Sequence, residues 1–239
     1  MSRRSMVSVC MATYNGERYL REQVGSILRE LGEGDELVIS DDGSTDSTLD
    51  IIKSFGDVRI KIFHNEGHHG VNGNFENAIS KSTGDYIFLS DQDDVWIEGK
   101  VKECLEALGD SDLVLHDAMI VDKDLISQNK TLFSELKIKK GFGANFIRNR
   151  FTGCCMAFRR EILHYVLPFP KKVSFYHDSW TGLLVLLKGK VTIIDVPLIK
   201  FRRHQSTNSS AGSLSRRGIG KRVAERLSLG QNLIKRIIR

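Results

Sequence analysis

The sequence predicts an α/β fold built on a mostly parallel sheet flanked by helices. Two observations carry that expectation. Apolar strand-like runs alternate with amphipathic stretches through the first 110 residues, joined by short connections, and such alternation builds a parallel sheet covered by helices. Three of those runs end in polar clusters, Thr13-Tyr14-Asn15, Asp41-Asp42 and Asp91 with Asp93. In a parallel sheet all three ends lie along one edge, where open α/β sheets bind ligands.

Residues 7–13 form a β-rich run that stops at the turn residues Asn15 and Gly16. Leu20, Val24, Ile27, Leu28 and Leu31 then recur at helical spacing. A second strand, 36–40, runs into Asp41-Asp42-Gly43-Ser44-Thr45-Asp46, where Ser44 or Thr45 is a candidate cap for the helix carrying Leu49, Ile52 and Phe55. A third strand, 59–63, precedes a loop at 70–73 and a helix with Phe75, Ala78 and Ile79. The fourth strand, 85–90, is apolar on both faces, as a buried parallel strand is. The helix after it uses Val101, Cys104, Leu105 and Leu108.

The second half alternates less cleanly. Residues 113–116 read as a strand, followed by a polar, lysine-rich stretch to Lys140. A helix is expected over 142–149, a strand of small residues over 153–158 and a short helix over 161–167, closed by Pro168. On that strand Cys154 and Cys155 would face opposite sides. An apolar helix at 180–187 follows His177-Asp178, and two strands, 191–194 and 198–201, lie either side of Pro197.

Composition is that of an ordinary globular chain. No apolar run approaches the roughly 20 residues needed to cross a bilayer. Cys10, Cys104, Cys154 and Cys155 form no CxxC pair, which fits free thiols in a reducing cytosol and argues against zinc. The net charge of +5 is uneven: residues 212–239 hold eight Lys/Arg and one Glu, so 1–211 is slightly acidic.

Asp91, Asp93 and Asp94 crowd the end of the fourth strand. Carboxylates this close repel, and a hard divalent cation reverses the sign of that interaction. The alternative is a solvated acidic turn, with Asp94 capping the next helix. Asp178 stands at the start of an apolar helix, a position that suits a cap. Gly153 permits close backbone approach. No Gly-x-Ser-x-Gly elbow supports a serine hydrolase.

These motifs resemble those of the inverting, GT-A-fold glycosyltransferases of family 2. The resemblance rests on Val9-Cys10-Met11-Ala12-Thr13-Tyr14-Asn15, Ile39-Ser40-Asp41-Asp42-Gly43-Ser44-Thr45-Asp46, Leu89-Ser90-Asp91-Gln92-Asp93-Asp94-Val95-Trp96, His177-Asp178 and Arg202-Arg203-His204-Gln205, in family order across about positions 7 to 210. The Asp-Gln-Asp-Asp-Val-Trp form is similar to bacterial enzymes of O-antigen and capsule synthesis. The resemblance implies a GT-A domain over 1–211, with a nucleotide-sugar half (1–110) and an acceptor half (111–211), then a basic tail over 212–239. It implies a Mn²⁺ or Mg²⁺ ion held by Asp93, Asp91 and His204, and a base, Asp178. Thr13, Tyr14, Asn15, Asp41 and Asp42 would meet the nucleotide, with Asp91 at the ribose or metal-bound water and Arg202 and His204 near the diphosphate. The family often has Glu-Asp where this chain has His177-Asp178, which leaves the role of His177 open.

The implied reaction moves a hexose from a UDP-sugar to a polyprenyl-diphosphate-linked saccharide; dTDP-rhamnose is the alternative donor. A phosphate-binding α/β module would also cluster acids at strand ends, but gives no reason for Asp178. Nucleic acid is not an expected partner, because the basic tail lacks interleaved aromatics. In the tail, Ile219, Val223, Leu227, Gly230, Ile234 and Ile237 recur at three-to-four-residue spacing. That predicts a basic amphipathic helix for the inner face of the cell membrane, placing the enzyme in the cytoplasm as a peripheral protein. The competing expectation packs the helix on the body or on a second subunit of a homodimer.

Overall fold

The computed structural model describes residues 5–203 and 219–238. Its sheet holds strands β1 (Val7–Thr13), β2 (Glu36–Asp41), β3 (Ile60–His64), β4 (Tyr86–Ser90), β5 (Val95–Trp96), β6 (Leu113–Val121), β7 (Ser127–Thr131), β8 (Met156–Arg159) and β9 (Val191–Arg202). The order is β3-β2-β1-β4-β8-β6-β9-β5, with β7 beside β6. The first four strands pair in parallel, and β8 runs antiparallel between β4 and β6. The helices are α1 (Glu17–Glu30), α2 (Thr48–Lys53), α3 (Val71–Lys81), α4 (Lys100–Leu108), α5 (Leu132–Leu136), α6 (Phe142–Ile147), α7 (Leu163–Val166), α8 (His177–Lys188) and α9 (Ile219–Ile238).

The core lies between sheet and helices. Val9, Met11, Leu37, Ile39, Phe88 and Leu89 are fully buried on the strands, facing apolar residues such as Leu20, Val24, Phe75 and Leu184 on the helices. Burial on both faces explains why β1, β2 and β4 read as continuous apolar runs. Their carboxyl ends are in register: Thr13 pairs with Asp41 and Met11 with Ser90. The polar ends therefore meet on one edge.

Several boundaries differ from the sequence expectations. Gly153–Cys155 is a 3-10 turn, and the strand begins only at Met156. Both cysteines are buried in that turn, so the two-residue alternation expected of a strand does not apply to them. The strands expected around Pro197 are one strand, β9, with an irregular register opposite His116 and Asp117. The lysine-rich stretch before Lys140 contains β7 and α5. Ser47 occupies the cap position of α2; Ser44 instead donates to Asp41, and Thr45 to Asn15. Helix α4 begins after Gly99, in the left-handed region at φ 89°, so Asp94 lies too early to cap it. Helix α8 begins at His177 after Tyr176, which places Asp178 inside the first turn instead of at the cap.

Candidate functional site

The acidic turn after β4 is held from three sides. Gln23 of α1 donates from Nε2 to Ser90 Oγ at 2.7 Å and to the Asp91 carbonyl at 2.8 Å. Gln92 accepts from the Tyr14 N–H at 2.9 Å and donates to the Tyr14 carbonyl at 3.1 Å. Arg202 is 2% exposed. Its Nε donates to the Asp93 carbonyl at 2.8 Å, Nη1 to the Lys123 carbonyl at 2.5 Å and Nη2 to Glu22 at 2.5 Å. Its guanidinium also lies over the Tyr19 ring. All three guanidinium nitrogens are engaged within the chain, so Arg202, which the sequence reading put near the diphosphate, clamps the acidic turn. His204 lies outside the described residues.

Within the turn, Asp91, Asp94 and the Cys154 sulfur present ligand atoms within 4.8 Å of one another. Burial and repulsion from Asp93 push the Asp91 carboxyl up to about 7, and the same causes hold Asp94 well above the carboxylate range. Asp94 Oδ1 accepts from the Arg202 N–H at 3.0 Å, while its buried Oδ2 has no hydrogen-bond partner. Two crowded carboxylates with an orphaned oxygen suit a hard cation. The Cys154 thiol does not add to that donor set, because the neighbouring Cys155 and burial keep it protonated. The sequence reading made Asp93 the first metal ligand, whereas the tightest group contains Asp94 in its place. Below the turn lies Lys100, fully buried, donating to the Cys154 carbonyl at 2.9 Å and packed 4.0 Å from the Trp96 ring centroid.

At the neighbouring strand ends the structure gives the two aspartates different work. Asp41 is 1% exposed and accepts from Thr13 Oγ1, Ser44 Oγ and the N–H groups of Gly43 and Ser44. That fills its carboxylate, and Thr13 is buried with it, so the local turn absorbs both residues. Asn15, at φ 46°, accepts from the Thr45 N–H and stitches the first loop to the second. Asp42 sits at the rim, accepting from Asn65 Nδ2 and the Gly70 N–H and pairing with His69 Nδ1. Tyr14 projects outward and is exposed. Beyond Asp42 a cavity of about 800 Å³ opens, lined by His69, Asn72, Glu76, Lys172, Phe175 and neighbours.

Asp178 lies across this edge on α8, 8% exposed. Burial pushes its carboxyl up to about 7, against the Ser179 N–H, Asn149 and Arg226, which favour the ionised form. Its charge reaches Asp91 and raises that carboxyl further. Asn72 positions the start of α8: its Oδ1 accepts from the His177 N–H at 2.8 Å, and its Nδ2 donates to the Phe175 carbonyl at 2.9 Å. His177 is buried, 4.1 Å from the Phe75 ring centroid, with neither ring nitrogen hydrogen-bonded. Burial lowers its pKa to about 3. A Cβ on Gly153 would lie 2.7 Å from His177 Nε2, so the glycine is needed for that ring.

Sequence reasoning assigned no role to Gln23, Asn72 or Lys100. Gln23 and Lys100 sit in ordinary helical patterns and Asn72 in the stretch read as a loop, which is the first turn of α3, and only their partners distinguish them.

An acidic turn at the edge of a mostly parallel sheet, with the Asp178 carboxyl close enough to act on Asp91, is the site the chain presents. The profile of glycosyl transferase family 2 matches residues 8–167, and the chain belongs to that family. It is 27% identical over 209 residues to the Escherichia coli UDP-Glc:alpha-D-GlcNAc-diphosphoundecaprenol beta-1,3-glucosyltransferase WfgD, covering 86% of this chain and 80% of that protein. It is 32% identical over 164 residues to the dTDP-rhamnosyl transferase RfbG of Shigella flexneri, covering 64% of this chain and 55% of that protein. The fold is similar to the Pyrobaculum calidifontis mannosyltransferase PcManGT, solved with GDP-Man and Mn²⁺, at a TM-score of 0.67 and 19% identity, over 97% of this chain and 65% of that one. The chain thus spans two-thirds or less of several of the proteins it matches.

Proposed function

We propose that the chain is an inverting glycosyltransferase that moves a hexose from a UDP-sugar to a saccharide on a polyprenyl diphosphate, in bacterial surface-polysaccharide synthesis. The observation that carries this reading is the opposition of Asp178 to the Asp91–Asp94 pair within electrostatic reach. Asp178 takes the proton of the acceptor hydroxyl as that oxygen attacks the anomeric carbon. A base with a pKa near 7 suits that task. Asp91 and Asp94, with Asp93 beside them, would hold a divalent cation, and Mn²⁺ or Mg²⁺ bound there would supply Lewis-acid stabilisation of the departing diphosphate. Tyr14 and the rim carboxylate of Asp42 face the nucleotide, and Gln92 fixes the Tyr14 backbone.

WfgD supports UDP-glucose and a lipid-linked acceptor, and RfbG supports dTDP-rhamnose as the second reading. We assign catalysis to residues 1–211 and a basic accessory segment to 212–239, with the enzyme working on the cytoplasmic face of the membrane. Among the described residues no helix is long and apolar enough to cross one.

The experiment is nucleotide release from UDP-glucose, UDP-galactose and dTDP-rhamnose, with Mn²⁺, Mg²⁺ or excess chelator. Release is expected from one of these donors, only with cation, and not from the Asp91→Asn variant. Full release in chelator would overturn the metal assignment. Failure to hydrolyse or bind any of the three would overturn the donor assignment.

A further inference from the structure

Two basic segments, far apart in sequence, meet on one face of the protein. Residues 137–150 carry Lys137, Lys139, Lys140, Arg148 and Arg150 and no acid. Residues 219–238 carry Lys221, Arg222, Arg226, Lys235 and Arg236 against a single acid, Glu225. The first segment contains α6 and the second is α9. They touch where the Phe146 ring covers Gly230, 3.3 Å from the position of an added Cβ.

Helix α9 packs on the body through one arc. Leu229 and Leu233 are buried, and Arg236 donates to the carbonyls of Tyr165, Leu167 and Pro168 beside the Trp180 ring. The adjoining arc, turned by about one residue, is apolar; Phe146 covers it at Gly230 and it is open on either side. Val223, Leu227, Ile234 and Ile237 on it are 45–63% exposed, and Ile147, next to Phe146 on α6, is 78% exposed. Single exposed apolar residues need no explanation, but a stripe carried across two helices does.

We infer that α6 and α9 together form a platform that rests on an anionic bilayer. Val223, Leu227, Ile234, Ile237 and Ile147 enter the boundary between headgroups and acyl chains, flanked by Lys139, Lys140, Arg222 and Lys235. Charge selects this occupant: an isologous pair of such faces would oppose basic flank to basic flank, whereas an anionic leaflet attracts both. The inference rests on the lipid-linked acceptor reading and gives it a geometry. Asn149, just past α6, and Arg226 of α9 both act on the Asp178 carboxyl, so the platform borders the base. The saccharide head reaches Asp178 while the lipid stays in the leaflet.

The test is co-sedimentation of the full chain with phosphatidylglycerol-containing vesicles and with pure phosphatidylcholine. Binding is expected only to the anionic vesicles. Leu227→Asp with Ile234→Asp should abolish it, and Lys139→Gln with Lys140→Gln should weaken it about tenfold or more. Folding, read by circular dichroism, and hydrolysis of soluble donor should be unchanged in both. If the aspartate pair unfolds the protein, the glutamine pair decides alone. No binding by the parent chain, or equal binding by the glutamine pair, overturns the platform. So does a dimer on gel filtration that the aspartate pair dissolves with vesicle binding absent throughout. Vesicle binding without donor hydrolysis would uphold the platform and sink the transferase reading; hydrolysis without vesicle binding would do the reverse.

Discussion

Asp178→Asn separates what the carboxylate costs the fold from what it gives the reaction. The residue is 8% exposed, and burial moves its carboxyl from 3.8 to about 7. The native state therefore holds the proton more tightly than the unfolded chain. Its stabilising effect is complete below about pH 3.8 and is lost as the pH rises through about 7. That span is about three powers of ten in the proton equilibrium, so at pH 8 the ionised carboxylate costs the fold ~4 kcal/mol. At pH 5 the same linkage gives only ~1.5 kcal/mol. Asparagine keeps the shape and cannot ionise. Urea unfolding should find the variant more stable than the parent by about those amounts at the two pH values. Turnover with donor and acceptor should fall by about 10² or more, with donor affinity nearly unchanged. In the parent, turnover should climb with pH and level off above about 7. A stability gap equal at pH 5 and pH 8 would refute the buried, proton-holding carboxyl. Ordinary turnover by the variant would refute its role as base.

Arg202→Met should release the acidic turn, leaving the Asp93 and Lys123 carbonyls without their donor. A loss of about 3 kcal/mol in urea unfolding, with weakened nucleotide diphosphate binding by calorimetry, is expected; unchanged binding would show that the turn holds without its clamp. Gly182→Ala would press a Cβ into the Phe151 ring, inside the core under α8. Overpacking there should cost about 1–3 kcal/mol, read as a lower melting temperature, with Kd for the nucleotide unaltered.

Much of the first half is legible in the residue pattern. Residues 7–13 and 36–41 are strands because both of their faces are buried, and that condition leaves an uninterrupted apolar run. Asp91 and Asp178 are legible for a related reason: a carboxylate beside an apolar run needs a partner or a purpose. The second half is less legible because its pattern is mixed. The turn at Gly153–Cys155 is as apolar as a strand, and composition does not separate the two. The pattern puts the start of α8 three residues late because Asp178 and Ser179, polar in sequence, are buried inside its first turn.

The sequence by itself determined the alternation of strands and helices, the edge on which the polar ends gather and the apolar arcs of each helix. These are local or periodic properties, set by side-chain spacing along one chain. The tertiary structure alone decided which polar groups are already taken. Arg202, Asp41 and Thr13 look like ligands in the sequence, and their hydrogen bonds are closed within the chain. It also decided that α9 presses Leu229 and Leu233 on the body and leaves the Leu227–Ile234 arc outward. Periodicity marks an apolar face but not what covers it, because burial depends on partners brought close from distant parts of the chain.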